Sequence, residues 1–235
     1  MLKGKYVLLS LAAALLCWQA VGVGNVNSGI VDPCKSTVTA NAGIVLVCPF
    51  GDGDLLSAVG STVTLTVKDA ADVGIEGIPT TDMWLVGCND GLLLCGGSQG
   101  SNADIATNSS GVTTFTNEPI AGGCDTGLYA VVQGVVIQEV GTCLPKCLPI
   151  QTRSPDYKSA GAPGPPACGG DLKCPDSKVS SADFGWFVTH YTYAGHPGSY
   201  IACADYVAPF GGTLGSGDFA KFVVHYAGAG HKCPI

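Results

Sequence analysis

Four histidines occur in the sequence, and all of them lie near its C-terminal end at a repeated spacing. His190 and His196 follow the pattern His-Tyr-x4-His, and His225 and His231 repeat it. Imidazole nitrogens can bind zinc or copper, so one interpretation is a transition-metal site. The alternative is helix termination, because histidine is favourable at the negative end of a helix and a following glycine ends the helix. We favour helix termination, since a duplication explains the spacing without a metal.

The duplication has a shift of thirty-five residues and contains no gap. Residues 183–196 align on residues 218–231, and nine of the fourteen positions are identical. Ser181 and Ser216 are expected to be the N-caps of two helices, whose first turns contain an aspartate. Apolar residues at offsets of zero, three, four and seven form one face of each helix, and we expect the two faces to pack together. These residues are Phe184, Phe187, Val188 and Tyr191 in the first copy, and Phe219, Phe222, Val223 and Tyr226 in the second.

Each helix follows a loop that ends in aspartate, with Val179 or Leu214 four positions earlier. This duplicated loop and Phe-rich helix, over residues 168–235, resembles a degenerate dockerin module, which is a duplicated F-hand. In that family, loop carboxylates bind Ca²⁺ as in an EF-hand. The resemblance implies a calcium ligand set of Asp171, Asp176, Asp183, Asp205 and Asp218. Both loops are longer than the family's, and the second is apolar in its middle. The first loop is therefore the better candidate for calcium, and the second is expected not to bind it.

The resemblance also implies a protein partner, because dockerins bind a cohesin through exposed helix surfaces. Trp186 and Lys221 are expected on the solvent faces of the two helices. Trp186 lies off the apolar stripe, and an exposed tryptophan is a frequent interface anchor. The alternative is that Trp186 packs against the linker or the first domain.

Export is expected for this chain, and its cysteines then predict disulfides. Residues 1–24 are typical of a signal peptide, with Lys3 and Lys5 before an apolar run that is too short to span a membrane. Removal of that segment takes Cys17 away and leaves eleven of the twelve cysteines, so one has no partner within the chain. The odd cysteine is expected in the first domain, as a buried thiol or a cross-link to another chain.

Spacing suggests pairings between neighbouring cysteines, although spacing alone does not determine connectivity. Cys88 and Cys95 flank an Asn-Asp-Gly turn, which favours a hairpin. The expected pairs are Cys34 with Cys48, Cys88 with Cys95, Cys143 with Cys147, Cys168 with Cys174, and Cys203 with Cys233. The last two pairs would stabilise the loops of the repeat where the ion is missing.

Short β-like segments separated by turn residues predict an antiparallel β-sandwich over residues 30–147. Residues 62–68 alternate apolar and polar side chains, as a strand with one buried face does. The candidate strands cover residues 36–39, 44–48, 62–68, 83–87, 92–95, 111–116 and 128–137. Residues 60–69 and 106–115 resemble strands of the Ig-like domains of bacterial invasins and intimins. The expected fold is therefore mostly β, with a small helical module after a Pro/Gly linker at residues 148–167.

The composition excludes several classes of function. The net charge is −7 and charged residues make up only 12% of the chain, so binding to nucleic acid or anionic lipid is not expected. The first domain contains no histidine, so it has no Ser-His or Cys-His couple of its own, and we expect no enzyme activity.

These observations predict a secreted, non-catalytic protein for extracellular assembly at a cell surface, in a fibre or in adhesion. Its partner would be a cohesin-like protein or a second copy of the chain. One alternative is a module that binds carbohydrate or a surface polymer through residues 89–91 and 96–102. Another is the subunit of a self-assembling filament.

Overall fold

The computed structural model describes residues 29–47, 53–89, 92–94, 101–117, 121–156, 179–192, 198, 202–208 and 210–226. Within these residues the protein is mostly β, with ten strands and two α-helices. The strands are β1 (Thr37–Thr39), β2 (Gly43–Leu46), β3 (Val63–Thr66), β4 (Met83–Gly87), β5 (Leu92–Leu94), β6 (Val112–Phe115), β7 (Ala121–Gly123), β8 (Leu128–Val132), β9 (Val135–Val136) and β10 (Ile150–Arg153). The helices are α1 (Ser181–His190) and α2 (Ser216–Tyr226). The predicted signal peptide, residues 1–24, lies outside the described residues.

Antiparallel pairing dominates the sheets. One three-stranded sheet has the order β1-β3-β6, and another has the order β4-β8-β9. In the first sheet Leu65 lies opposite both Val38 and Thr113, and in the second Leu85 lies opposite Ala130. Strands β5 and β7 form a separate antiparallel pair, and β2 and β10 form a parallel pair.

The alternating pattern of residues 62–68 is confirmed as a strand. Val63, Leu65 and Val67 are fully buried, whereas Thr64 and Thr66 between them are half-buried. Successive side chains of a strand point to opposite faces, so this alternation places every second residue in the core. Each fully buried side chain of this size contributes about 1.5–3 kcal/mol through removal from water.

One apolar core receives side chains from both three-stranded sheets. Leu65 of β3, Leu85 of β4 and Ala130 of β8 belong to the same cluster of buried residues. Val45 of β2 and Ile150 of β10 belong to it as well. The parallel pair is therefore part of the same packed body as the antiparallel sheets.

Strand β10 begins inside the segment that the sequence suggests as a linker. Residues 148–167 are rich in proline and glycine, yet Ile150–Arg153 pairs with β2 in parallel and Leu148 is buried. A parallel partner must come from a distant part of the chain, so local composition carries no sign of it. Residues 157–167 of the predicted linker lie outside the described residues.

Helices α1 and α2 pack their aromatic faces together, which confirms the expectation from the apolar stripes. The ring centroids of Phe187 and Phe222 lie 4.9 Å apart, and those of Phe184 and Tyr226 lie 5.5 Å apart. Phe187 and Phe222 are fully buried, but Val223 is more than a third exposed. The predicted face of α2 is thus only partly covered by α1.

The N-cap of α1 is Ser180, one residue before the predicted Ser181. The Ser180 hydroxyl accepts a hydrogen bond from the Ala182 amide at 3.2 Å, and the Asp183 carboxylate accepts the Ser180 amide at 2.7 Å. This is a capping box, in which the two residues satisfy each other's free helix-end groups. In α2 the same position is taken by Gly215, whose carbonyl oxygen accepts the Phe219 amide at 3.1 Å. Ser216, predicted as the second N-cap, is the first residue of α2.

Three disulfides lie within the described residues, and none of them joins neighbouring cysteines. They are Cys34–Cys143, Cys88–Cys147 and Cys124–Cys203, with sequence separations of 109, 59 and 79 residues. The predicted pairs Cys34–Cys48, Cys88–Cys95, Cys143–Cys147 and Cys203–Cys233 are therefore wrong. Cys48, Cys95, Cys168, Cys174 and Cys233 lie outside the described residues, and so does the predicted pair Cys168–Cys174.

Strand pairing explains one of the corrected disulfides. Gly87 at the end of β4 lies opposite Leu128 of β8, and Leu128 forms an isolated bridge with Leu148. Cys88 follows Gly87 and Cys147 precedes Leu148, so both cysteines lie beside the backbone of Leu128. Contacts between strands, which sequence spacing does not report, bring these two cysteines together.

Candidate functional site

The helices are joined covalently to the β-rich part of the molecule. Cys124 follows β7, and Cys203 lies in a 3₁₀ turn at Ala202–Ala204 between the two helices. Cys203 is buried in the helical core with Val179, Leu214 and Phe222, and Cys124 packs against that core. The duplicated unit is therefore held directly against the β-rich part at this disulfide.

A buried ion pair also joins the β-rich part to the second repeat. Its aspartate, Asp205, lies two residues after Cys203. Arg153, the last residue of β10, is only 4% exposed, and Asp205 of the second repeat is 2% exposed. Arg153 Nη1 lies 3.3 Å from Asp205 Oδ2 and also donates to the Asp205 backbone carbonyl. The guanidinium carbon lies 4.4 Å from the centre of the Phe210 ring. The arginine thus contacts the carboxylate, the carbonyl and an aromatic ring of one loop.

The family resemblance places Asp205 and Asp218 in the second loop's ligand set, and both carboxylates accept hydrogen bonds from N–H groups. Asp205 Oδ2 accepts the Gly211 amide at 2.6 Å in addition to its contact with Arg153. Asp218 Oδ1 accepts the amides of Tyr206 at 2.7 Å and Val207 at 3.1 Å. Its Oδ2 accepts the Gly215 amide at 2.8 Å. Both carboxylates are therefore bound by N–H groups of the protein itself.

The second loop does not fit a calcium ion. Calcium requires six to eight oxygen ligands. The Asp205 carboxylate instead contacts the Arg153 guanidinium and the Gly211 amide, and the Asp218 carboxylate accepts backbone amides. Across the parts of the chain that the structure describes, no group of three or more His, Cys, Asp or Glu side chains could hold a metal ion. Asp171 and Asp176 of the first loop lie outside those parts. Asp183, the remaining predicted ligand, accepts the amide and the hydroxyl of Ser180.

The histidines of the two copies occupy different environments. His190 is half-buried at the end of α1, and its Nδ1 lies 2.8 Å from the Trp186 carbonyl oxygen. His225 is buried on the inner side of α2. His196 and His231 lie outside the described residues.

The predicted docking residues differ in exposure. Trp186 is half-buried against the helical core, with its ring centroid 4.3 Å from that of His190. Docking through Trp186 and the packing of Trp186 against the linker or the first domain both stay predictions. Lys221 on α2 is exposed.

A patch of exposed apolar side chains on the second repeat was missed by the sequence analysis. Its members are Val207, Phe210, Phe219, Val223 and Val224, and they are called the apolar patch below. A Cβ atom at Gly217 would lie 3.5 Å from Val207, so the loop residue lies over the first turn of α2. The available signal was the thirty-five-residue alignment, which places Val224 where the first copy has the exposed Thr189.

The loops proposed as an alternative ligand site are described only in part. Asn89 is tied down by Asp125, which accepts its backbone amide at 2.9 Å and its side-chain amide at 3.0 Å. The Asn89 side chain also donates to the Thr126 hydroxyl at 2.6 Å. Through these hydrogen bonds Asn89 stabilises its loop.

In comparisons with known proteins, no protein-family model, no curated protein and no solved structure matches this chain. Of the helices in the described residues, none has the length and apolarity that a membrane crossing requires.

Proposed function

We propose that this chain is a secreted, non-catalytic protein that takes part in extracellular protein–protein assembly through its second repeat. In this proposal the β-rich part is an Ig-like sandwich, and the helices form a dockerin-like module that docks to a cohesin-like protein. The three disulfides within the described residues support an oxidising compartment, where such bonds persist.

The apolar patch is the observation that carries the proposal. On α2, the side chains Asp218, Phe222 and His225 face inward and are buried. Val223 and Val224 are exposed, Val224 at 68%, whereas Phe219 is partly exposed and its ring also packs against Phe187 of α1 and against Tyr191. Several exposed apolar side chains on one helix and the loop before it favour a protein interaction site.

The contacts under the patch favour a rigid docking surface. Asp218 Oδ1 holds the amides of Tyr206 and Val207, and the Arg153 guanidinium lies on the Phe210 ring. The Val207 backbone and the Phe210 ring are therefore already ordered in the free protein. A surface that is already ordered loses little conformational entropy on binding, which favours affinity.

Charge favours a partner that differs from the chain itself. The chain has a net charge of −7, and two copies repel each other at low salt. Exposed Lys221 is one helical turn from Val224, so the charge beside the patch is positive. We therefore expect an extracellular protein with an apolar docking surface bordered by acidic residues.

Affinity measurements on surface variants test the proposal. A partner is first isolated from extracellular proteins by cross-linking to the full chain, then purified and titrated by calorimetry. Val224→Lys should weaken binding at least about tenfold, since it places a charge in the contact. Val140→Lys is the matched control, because Val140 is also exposed, at 58%, but belongs to the β-rich part.

Three outcomes would contradict the proposal. Equal weakening by Val224→Lys and Val140→Lys would remove the patch from the interface. Association of the chain only with itself, measured by light scattering, would favour a filament subunit. Binding of the full chain to a glycan array, unaffected by Val224→Lys, would favour the carbohydrate-binding alternative.

A further inference from the structure

Arg153 is the only arginine in the sequence, and it lies outside the repeat that it contacts. It comes from β10, which is paired with β2 in the β-rich part, and it reaches the loop between the two helices. We propose that the Arg153 guanidinium is the built-in cation of the second loop, in the place of a bound metal ion. Its role is to order the loop only when the β-rich part and the helices are in contact.

Burial explains why the loop needs a cation at Asp205. An ionised carboxylate that is only 2% exposed is costly unless a positive charge and hydrogen bonds compensate it. Arg153 supplies the charge and the Gly211 amide supplies a hydrogen bond. The same guanidinium also donates to the Asp205 carbonyl, so one group neutralises the side chain and satisfies the backbone.

The choice of arginine follows from the shape of the site. A guanidinium is planar and presents several N–H donors in fixed directions, and it can also stack on an aromatic ring. Arg153 uses these properties together, because it contacts Asp205 through Nη1 and lies 4.4 Å from the Phe210 ring centre. A lysine ammonium is a compact point charge and does not reproduce this combination.

Two neighbouring contacts make the coupling between the two parts specific. The Tyr206 hydroxyl donates to the backbone carbonyl of Ser154 at 3.2 Å. Ser154 is the residue that follows Arg153 in the chain. The Cys124–Cys203 disulfide joins the same two parts. The disulfide limits their separation, whereas Arg153 and Tyr206 determine the conformation of the loop within that limit.

Amide hydrogen exchange in the full chain, with all disulfides formed, tests the inference. The reporters are the amides of Tyr206, Val207 and Gly211, and the amide of Tyr191 at the end of α1 is the internal reference. Arg153→Met keeps much of the side-chain length and removes the charge. Exchange at the three loop amides should accelerate by about 100-fold, because an unpaired buried carboxylate remains.

Further variants separate the ion pair from simple packing. Arg153→Lys keeps the charge and should restore only part of the protection. Arg153→Met combined with Asp205→Leu removes both charges, and its Tyr206 and Val207 amides should exchange more slowly than those of Arg153→Met alone. The Gly211 amide is left out of this comparison, because Asp205→Leu removes its acceptor. Loop exchange in Arg153→Met that equals the wild-type rate would overturn the proposal.

The unmodified protein provides an independent test that does not depend on any variant folding. Loop exchange is measured with calcium chloride and again with a chelator. We expect the same rates at Tyr206, Val207 and Gly211 under both conditions, since Arg153 already occupies the cation position. A chelator that accelerates exchange at these amides would show that a metal orders the loop, and would overturn the proposal.

Discussion

Asp183 and Asp218 make the same hydrogen bond in the two copies of the repeat. In each case Oδ2 accepts the backbone amide of the residue three positions earlier, at 2.7 Å from Ser180 and 2.8 Å from Gly215. Asp218 also binds two loop amides, those of Tyr206 and Val207, through Oδ1. One aspartate position thus caps a helix in both copies, and in the second copy it also holds a loop against that helix.

Asp218→Ala should lower the free energy of unfolding by about 2 kcal/mol or more. The change removes a helix cap and leaves three backbone amides without their acceptor, each in a partly buried setting. Urea unfolding followed by circular dichroism measures the effect. Asp72→Ala is the control, because its ion pair with Lys68 is exposed and should be worth less than about 1 kcal/mol. Equal effects of the two variants would contradict this role for Asp218.

Gly127→Ala should destabilise the protein strongly and interfere with the Cys88–Cys147 disulfide. A Cβ atom at this position would overlap Cys147 Sγ and lie 2.7 Å from the Leu148 carbonyl oxygen. Thermal unfolding and peptide mapping of the disulfide measure the two effects. Gly185→Ala is the matched control in α1, where nothing lies within 4 Å of the added atom. The control should stabilise the protein by about 0.5–1 kcal/mol, because alanine favours a helix interior over glycine.

Replacement of Cys124 and Cys203 by serine should cost about 2–4 kcal/mol, because their bond constrains 79 residues of the unfolded chain. It should also increase proteolysis between the helices, since the covalent attachment to the β-rich part is lost. The paired variant Cys88→Ser with Cys147→Ser removes a disulfide within the β-rich part, and cleavage there should increase instead. Identical cleavage patterns for the two paired variants would contradict a junction role for Cys124–Cys203.

Leu65→Ala should lower the free energy of unfolding by about 2–5 kcal/mol, the range for loss of a fully buried leucine. Leu65 lies in the core shared by both three-stranded sheets, so unfolding should lose structure in both. Val224→Ala is the apolar control on the exposed side of α2 and should change stability by less than about 0.5 kcal/mol. A small effect at Leu65 would place it outside the cooperative core.

Some elements could be predicted because their signals are local. Strand β4 at Met83–Gly87 has the predicted bounds, and β3 lies within the predicted residues 62–68. Helices α1 and α2 begin at Ser181 and Ser216, the two residues that the duplication predicts as their N-caps, so each helix begins one residue early. Strand and helix periodicities are properties of short segments, so the residues themselves carry this information.

The candidate site was much less predictable, because its parts are distant in sequence. Arg153 had no assigned role, and the residues around it had the composition of a linker. Asp205 was expected as a calcium ligand by resemblance, and its contact with a β-strand fifty-two residues earlier could not be inferred from its own loop. The exposure of Val223 and Val224 depends on how far α1 covers α2, which the spacing of apolar residues does not specify.

The sequence by itself determined the duplication, the two helices, most of the strands and the presence of disulfide-forming cysteines. Tertiary structure alone decided which cysteines pair, which strand joins β2, and which group neutralises Asp205. The physical reason is that these relations join residues 52 to 109 positions apart. Such contacts form only when the whole chain is packed, because closing long loops costs entropy that many other contacts must offset.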